Sequence, residues 1–189
     1  MKQTAEESLQ AFLEGLGLDL QQAHMTKTPA RVTALYRDLF RGVGGDTKSL
    51  WGEVFPTDYK GLVAVHGIPF YSMCEHHLMP FFGKVDIVYL PHEGRVAGLS
   101  KLADLVDLLA RRPQLQERLS SQIADALEED LGAQGVMVRI QATHLCMLVR
   151  GEMQLDTQAM TMESRGLLAE GKDLRQEALL LLGEEIHEN

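Results

Sequence analysis

The sequence predicts an α+β fold in a single domain. Apolar residues recur at helical spacing in several segments, apolar and polar residues alternate in others, and glycine or proline separates them. The 189 residues, 45% of them hydrophobic and 24% charged, suit one globular domain. We expect this domain to span residues 1–189, with a helical part up to about residue 60 and an α+β part from about residue 61.

Two helices are predicted in the N-terminal part. The first ends at Gly17, and its apolar stripe consists of Leu9, Phe12, Leu13 and Leu16. The second begins at Thr28-Pro29, where Thr28 suits the N-cap and Pro29 suits the first helical position. Its apolar residues continue to Gly42 and are expected to pack in the core.

The rest of the chain is predicted to contain both strands and helices. In chain order these are strands at 62–70 and 84–90, helices at 100–111 and 113–131, strands at 136–142 and 144–152, and a tail helix at 172–185. The strand at 144–152 is expected to bring Cys146 back towards Cys74, which lies between the first two strands.

The net charge of −9 at pH 7 argues against nucleic acid or an anionic membrane as a partner, because those surfaces require a basic patch. No apolar run approaches the roughly 18 residues needed to span a bilayer. The N-terminus is too acidic for a secretion signal, so we expect a cytoplasmic protein. A small anionic substrate stays compatible with this charge if cationic residues cluster locally.

The two cysteines of the chain each lie close to histidine, in Cys74-Glu75-His76-His77 and in His144-Leu145-Cys146. Cys74, His77 and Cys146 offer two thiolates and an imidazole, a ligand set that suits Zn²⁺. Three protein ligands leave a fourth tetrahedral position for water, as in catalytic zinc sites. His76 and His144 would then remain free imidazoles, which suit proton transfer near neutral pH.

Two plainer interpretations of the cysteines stay open. They could form a disulfide, although disulfides are uncommon in cytosolic proteins. They could also be ordinary buried thiols, since free cysteine is among the most buried residue types and short Cys/His motifs give false positives.

Four sequence blocks together resemble the GTP cyclohydrolase I family in their order and spacing. They are Cys74-Glu75-His76-His77, Gly98-Leu99-Ser100-Lys101, Arg111-Arg112-Pro113-Gln114-Leu115-Gln116-Glu117-Arg118-Leu119 and His144-Leu145-Cys146-Met147-Leu148-Val149-Arg150-Gly151. The resemblance begins near Thr28-Pro29-Ala30-Arg31-Val32 and covers most of the chain. Four blocks are far more specific than a lone Cys/His pair.

The resemblance implies a tunnelling fold, in which a four-stranded antiparallel sheet carries helices on one face and follows N-terminal helices. Subunits of this family assemble into a ring, commonly a decamer of two pentamers, with active sites at the subunit interfaces. We therefore expect a homo-oligomer, in which one chain alone does not complete a site.

The resemblance also implies an activity, the conversion of GTP and water to 7,8-dihydroneopterin triphosphate and formate. This reaction is the first step of tetrahydrofolate and pterin biosynthesis. Zn²⁺ held by Cys74, His77 and Cys146 would activate water for attack on C8 of guanine. His144 would transfer protons at the ring nitrogens, and His76 would act on the ribose ring oxygen.

Substrate contacts are implied by the same resemblance. Glu117 would accept hydrogen bonds from N1 and N2 of guanine, with Gln116 beside it as a further substrate-binding residue. Arginine suits phosphate because its planar fork can bind two oxygens. The residues matched to the triphosphate are Ser100, Lys101, Arg150 and Arg31.

Asp104 occupies a position where family members usually carry an arginine that holds the triphosphate. An acid three residues after Lys101 on a helix could pair with it and repel phosphate. One interpretation is a related enzyme for another guanine nucleotide; the other is that Asp104 points away and Arg95 or another cation compensates. A non-catalytic ring protein that binds a nucleotide or pterin is a further alternative, and the two free imidazoles argue against it.

Overall fold

The computed structural model describes residues 3–22, 24–52, 55–56, 58–92, 95–152, 154 and 156–183. The chain divides into two compact units, Met1–Arg41 and Gly42–Asn189. The prediction of one domain with a helical part up to about residue 60 stays a prediction. None of the described helices is long and apolar enough to cross a membrane.

The N-terminal unit contains two helices that pack against each other, α1 (Ala5–Gly15) and α2 (Thr28–Leu39). A capping box starts α1: Oγ1 of Thr4 accepts from the backbone N–H of Glu7, and the Glu7 carboxylate accepts from the backbone N–H of Thr4. The N-cap of α2 is Lys27, without a side-chain cap, so Thr28 lies inside the helix and the predicted N-cap is wrong by one residue.

The second unit holds the sheet and the remaining helices, together with a short 3₁₀ turn at Lys48–Leu50. Its elements are β1 (Phe55–Pro56), β2 (Val63–Cys74), β3 (Pro80–Leu90), β4 (Arg95–Val96), α3 (Leu99–Ala110), β5 (Pro113–Gln114), α4 (Gln116–Asp125), β6 (Gly135–His144), α5 (Leu145–Leu148), β7 (Ala159–Gly166), α6 (Leu167–Glu170) and α7 (Lys172–Leu181). A π-helical turn, Ala126–Asp130, continues α4.

The main sheet has five strands in the order β5-β2-β3-β6-β7. The four long strands are antiparallel neighbours, as predicted, but β5 adds a fifth strand that pairs parallel to β2. The prediction of a purely antiparallel four-stranded sheet is therefore wrong. A two-residue strand is too short to show alternation, and its parallel pairing depends on the crossover through α3, which no local pattern reports.

Both faces of the sheet are covered, because neighbouring strand residues enter different cores. Ile87 packs in the core shared with α3 and α4, whereas Val88 packs in the core shared with α6 and α7. Val136 and Met137 on β6 divide in the same way. The sequence predicts helices on one face of the sheet, and α3 and α4 lie on that face. Apolar residues of α6 and α7 cover part of the opposite face, which the prediction leaves uncovered.

Two predicted elements near the cysteine and histidine motifs are wrong. The segment 144–152 is not a strand: β6 ends at His144 and the chain turns into α5. The helix expected from residue 113 begins instead at Gln116, because Pro113 is part of β5. The apolar run after His144 lacks alternation, and a short run of this kind cannot distinguish a strand from a helix.

Candidate metal centre and active site

Cys74, His77 and Cys146 converge, with one possible ligand atom from each residue lying within 4.8 Å of the others. Zinc bonds of about 2.0–2.3 Å in a tetrahedron place ligand atoms roughly 3.5 Å apart, so small side-chain adjustments would close this group around an ion. Both cysteines are buried free thiols and His77 is exposed. Two sulfur donors and an imidazole fit zinc, and the exposed side leaves room for a fourth ligand.

The sheet explains why two distant motifs meet. Cys74 is the last residue of β2 and His144 is the last residue of β6. Both strands flank β3, whose first residues pair with them: Met73 with Pro80, and Phe81 with His144. The two motifs therefore lie at the same end of the sheet.

A tight turn carries the histidines from β2 to β3. The backbone N–H of Leu78 donates to the carbonyl of Cys74 over 2.8 Å, and the N–H of Cys74 donates to the carbonyl of Met79 over 2.9 Å. Leu78 has a φ of 50°, in the left-handed region that residues other than glycine adopt infrequently. This turn geometry brings His77 back towards Cys74 and Cys146.

The Cys146 thiol lies in an environment that favours its protonated form when no metal is bound. Burial raises the pKa of Cys146, and the neighbouring Cys74 raises it further. A bound cation reverses this preference, because a coordinating thiol is deprotonated. Metal binding at this group is therefore expected to release protons.

Gln116 fixes the orientation of His144. Its side-chain N–H groups donate to the carbonyls of Ile140 and Ala159 over 3.1 Å each. Because carbonyls only accept hydrogen bonds, the amide nitrogen of Gln116 must face them, and its amide oxygen then faces Nε2 of His144 at 2.8 Å. The amide oxygen also only accepts, so Nε2 of His144 carries the hydrogen. The ring also stacks on Phe81, with centroids 4.8 Å apart and planes 3° from parallel. These contacts leave Nδ1 as the nitrogen of neutral His144 that can accept a proton.

The surroundings of His144 favour its neutral form. Burial lowers its pKa, and the opposing influence is the carboxylate of Glu117. Glu117 is itself exposed on the first turn of α4. The Glu117 carboxylate is therefore close enough to His144 to interact with it electrostatically, and it is accessible to a ligand.

His76 and Arg150 lie around the metal-ligand group. His76 is exposed, with its Nδ1 3.9 Å from Sγ of Cys74, and its ring is edge-on to that of His77. Nη1 of Arg150 lies 3.4 Å from Nε2 of His77, and Nη2 pairs with Glu152 over 2.7 Å. A second imidazole and a guanidinium therefore border the exposed side of the site.

The other predicted substrate-binding residues are distributed more widely. Ser100 and Lys101 lie in the first turn of α3, where Lys101 pairs with Asp104 over 3.3 Å. Arg31 is exposed on α2, in the N-terminal unit. The triphosphate roles of these residues stay predictions. The substrate-binding role of Gln116 also stays a prediction, although its side chain is buried and bonded within the chain.

Three residues at the site carried no predicted role. Phe81 stacks on His144, and Arg118 of α4 binds the carboxylate of Glu75 through two hydrogen bonds of 2.6 and 2.9 Å. Glu75 and Arg118 belong to two different motif blocks and carry opposite charges, which is the one sequence signal that could have suggested their pairing.

Comparison with known proteins gives a consistent result along nearly the whole chain. The profile of the family described as GTP cyclohydrolase I matches residues 5–183. A GTP cyclohydrolase 1 from Streptococcus pyogenes serotype M49 (strain NZ131) is 46% identical over 181 residues, covering 96% of this chain and 93% of the relative. Another, from Streptococcus agalactiae serotype Ia, is 45% identical over 177 residues, covering 94% of this chain and 95% of the relative.

Similarity to solved structures is more distant. The apo form of the archaeosine synthase QueF-Like covers 58% of this chain and 97% of its own, with 17% sequence identity and a TM-score of 0.46. A likeness at this level supports no argument about function.

Proposed function

This chain belongs to the GTP cyclohydrolase I family, and we propose that it converts GTP and water to 7,8-dihydroneopterin triphosphate and formate, the first step of tetrahydrofolate and pterin biosynthesis. The observation that supports this proposal best is the convergence of Cys74, His77 and Cys146 beside an oriented His144. A binding protein has little need for an imidazole held in this way next to an open metal site.

Zn²⁺ is the metal we propose, held by Cys74, His77 and Cys146. When bound, it would supply Lewis acidity and an activated water for attack at C8 of guanine. The two buried thiols provide the soft donors that favour zinc over magnesium or calcium. His77, on the exposed side, leaves the remaining coordination position accessible to substrate.

His144 and His76 are the proposed proton-transfer residues. The hydrogen bond to Gln116 keeps the hydrogen of neutral His144 on Nε2, so Nδ1 would accept and return protons at the guanine ring nitrogens. His76 is exposed beside Cys74 and would serve the ribose ring oxygen. Phe81 limits rotation of the His144 ring and keeps Nδ1 in one direction.

Glu117 is the proposed acceptor for N1 and N2 of guanine. Its carboxylate lies at the start of α4 and interacts electrostatically with His144, so the recognised base and the proton-transfer group would be neighbours. Adenine would present an acceptor where guanine presents N1–H, leaving the carboxylate without a partner. This pairing would make the site specific for guanine.

Assembly and the triphosphate site complete the proposal. We propose a tunnelling-fold ring, a decamer of two pentamers, in which Ser100, Lys101, Arg150 and Arg31 hold the triphosphate and Gln116 contributes to the substrate site at subunit interfaces. The free cysteines and the nucleotide substrate suit the reducing cytoplasm.

Incubation of the zinc-loaded protein with GTP tests the activity. We expect formate and, after oxidation, a fluorescent pterin, with both products lost after chelation and restored by added zinc. ATP serves as the matched control and should yield neither product. A fully zinc-loaded assembly that releases no formate from GTP would contradict the proposed function.

A second candidate, preference for another guanine nucleotide, is favoured by the ion pair between Lys101 and Asp104. Both side chains are substantially exposed, so the pair is weak and phosphate can compete for the lysine. We predict that Asp104→Asn lowers KM for GTP by about two- to fivefold, with a smaller effect on GMP, because a repulsive carboxylate is removed.

Asp107→Asn is the matched control, since Asp107 lies on the same helix and pairs with Arg111. Measurement of kcat and KM for GTP, GDP, GMP and guanosine decides between the candidates. If the unmodified protein clearly prefers GDP or GMP, that nucleotide and not GTP is the substrate. Equal effects of the two substitutions would show that Asp104 does not face the phosphates.

A further inference from the structure

The first turn of α4 contacts both halves of the metal site. Gln116 accepts the hydrogen bond from His144, two residues before Cys146. Arg118, two residues further along, binds Glu75, which directly follows Cys74. One helical turn therefore bridges the two motifs that supply the metal ligands.

Arg118 projects from a firmly held helix. Leu119 and Ile123 are fully buried in the core beneath the sheet, and the side chain of Gln116 is 2% exposed. The segment just before α4 is also attached to β2: Met73 pairs with Pro113, and the backbone N–H of Glu75 donates to the carbonyl of Gln114 over 3.1 Å. The helix thus provides a fixed point from which Arg118 can hold residues 74–79, the metal-ligand turn between β2 and β3.

The metal-ligand turn needs such a restraint. His76, His77 and Leu78 are all exposed, and Leu78 adopts the left-handed conformation that is unfavourable for its side chain. Between Cys74 and Met79, which itself packs against the core, no side chain is buried, so packing does little to fix His77. The bidentate contact between Arg118 and Glu75 has a defined geometry that a single hydrogen bond lacks.

We propose that the Glu75–Arg118 ion pair is a positioning contact that holds Cys74 and His77 in the arrangement that binds the metal with Cys146. The inference rests on the metal centre proposed above. The side chains are 31% and 42% exposed, so the pair should add little to folding stability. Its effect should appear in metal affinity, where groups that orient ligands typically contribute about 10- to 100-fold.

Zn²⁺ affinity, measured by competition with a chelator and without any nucleotide, tests the proposal in the full chain. We expect Glu75→Gln and Arg118→Gln each to weaken binding by about tenfold or more. The charge-reversed double variant, Glu75→Arg with Arg118→Glu, should recover most of this loss. Arg118→Lys should have an intermediate effect, since lysine keeps the charge but not the planar fork.

Asp38→Asn is the matched control, because it removes a surface ion pair with Arg41 in the N-terminal unit. It should leave zinc affinity unchanged. The thiolate-to-metal absorption of the Co²⁺-substituted protein should shift in the Glu75 and Arg118 single variants, whereas the unfolding temperature of the metal-free protein should not. Unchanged zinc affinity in both single variants, or no recovery in the double variant, would overturn the proposal.

Failure of this proposal can be separated from failure of the proposed function. Zinc affinity and the cobalt spectrum report the metal-ligand turn with no substrate present. If the ion-pair variants bind zinc more weakly as expected but the unmodified protein releases no formate from GTP, the positioning role stands and the proposed function is rejected. If the unmodified protein produces formate but the ion-pair variants bind zinc normally, the proposed function stands and the positioning role is rejected.

Discussion

Cys146→Ser is expected to leave the protein without stably bound zinc and to lower formate release from GTP by at least about 1,000-fold. Cys146 is 4% exposed and lies in the only group of at least three potential ligands found among the described residues. A serine hydroxyl does not ionise near neutral pH and cannot replace the thiolate as a soft donor. Cys74 and His77 alone would then have to hold the ion.

Metal content by elemental analysis and formate release measured on the same preparation check this prediction. Met147→Leu is the matched control, because Met147 is the next residue and packs against the core, and leucine has a similar volume. It should keep both zinc and activity. A Cys146→Ser protein with full zinc content and normal turnover would show that Cys146 is not a ligand.

The group of three candidate metal ligands could be anticipated because its chemistry is visible in residue types alone. Thiols and imidazoles are the donors that zinc prefers, and a chain with two cysteines offers few ways to combine them. The convergence of Cys74, His77 and Cys146 follows from the antiparallel pairing of β2, β3 and β6, whose alternation was also recognisable. Local pattern and ligand chemistry therefore agree at this end of the sheet.

The path by which Cys146 reaches the site could not be predicted in the same way. The run after His144 is apolar without alternation, which fits a strand and a buried helix equally. In the structure it forms α5, so that Cys146 lies one residue inside a short helix instead of on a strand. Whether this segment forms a strand or a helix depends on tertiary packing, which the sequence of a single short segment does not reveal.

The groups that orient the site were also beyond prediction from separate motifs. The motif that contains Gln116 predicts a substrate contact, and it gives no sign that the side-chain amide also bonds two carbonyls and His144. Phe81 resembles any core phenylalanine in the sequence, and its stacking on His144 depends on the register of β3 against β6. Such roles arise from distances across the sheet, which spacing along the chain does not encode.

His144→Ala is expected to lower kcat for formate release from GTP by about 100- to 10,000-fold while zinc content stays at the level of the unmodified protein. His144 is held by Gln116 through Nε2 and by the ring of Phe81, and neither contact involves the metal-ligand group. Its removal should therefore abolish proton transfer without removing a ligand. Zinc content and single-turnover kinetics with GTP measure the two effects separately.

His92→Ala is the matched control for this loss of an imidazole, since His92 is exposed and bonded to Gln134 at the other end of β3. It should leave both kcat and zinc content unchanged. Loss of zinc from His144→Ala would mean that His144 is a ligand or supports one, because a residue that only exchanges protons leaves affinity intact. Normal kcat in that variant would place proton transfer elsewhere, with His76 as the remaining imidazole beside Cys74.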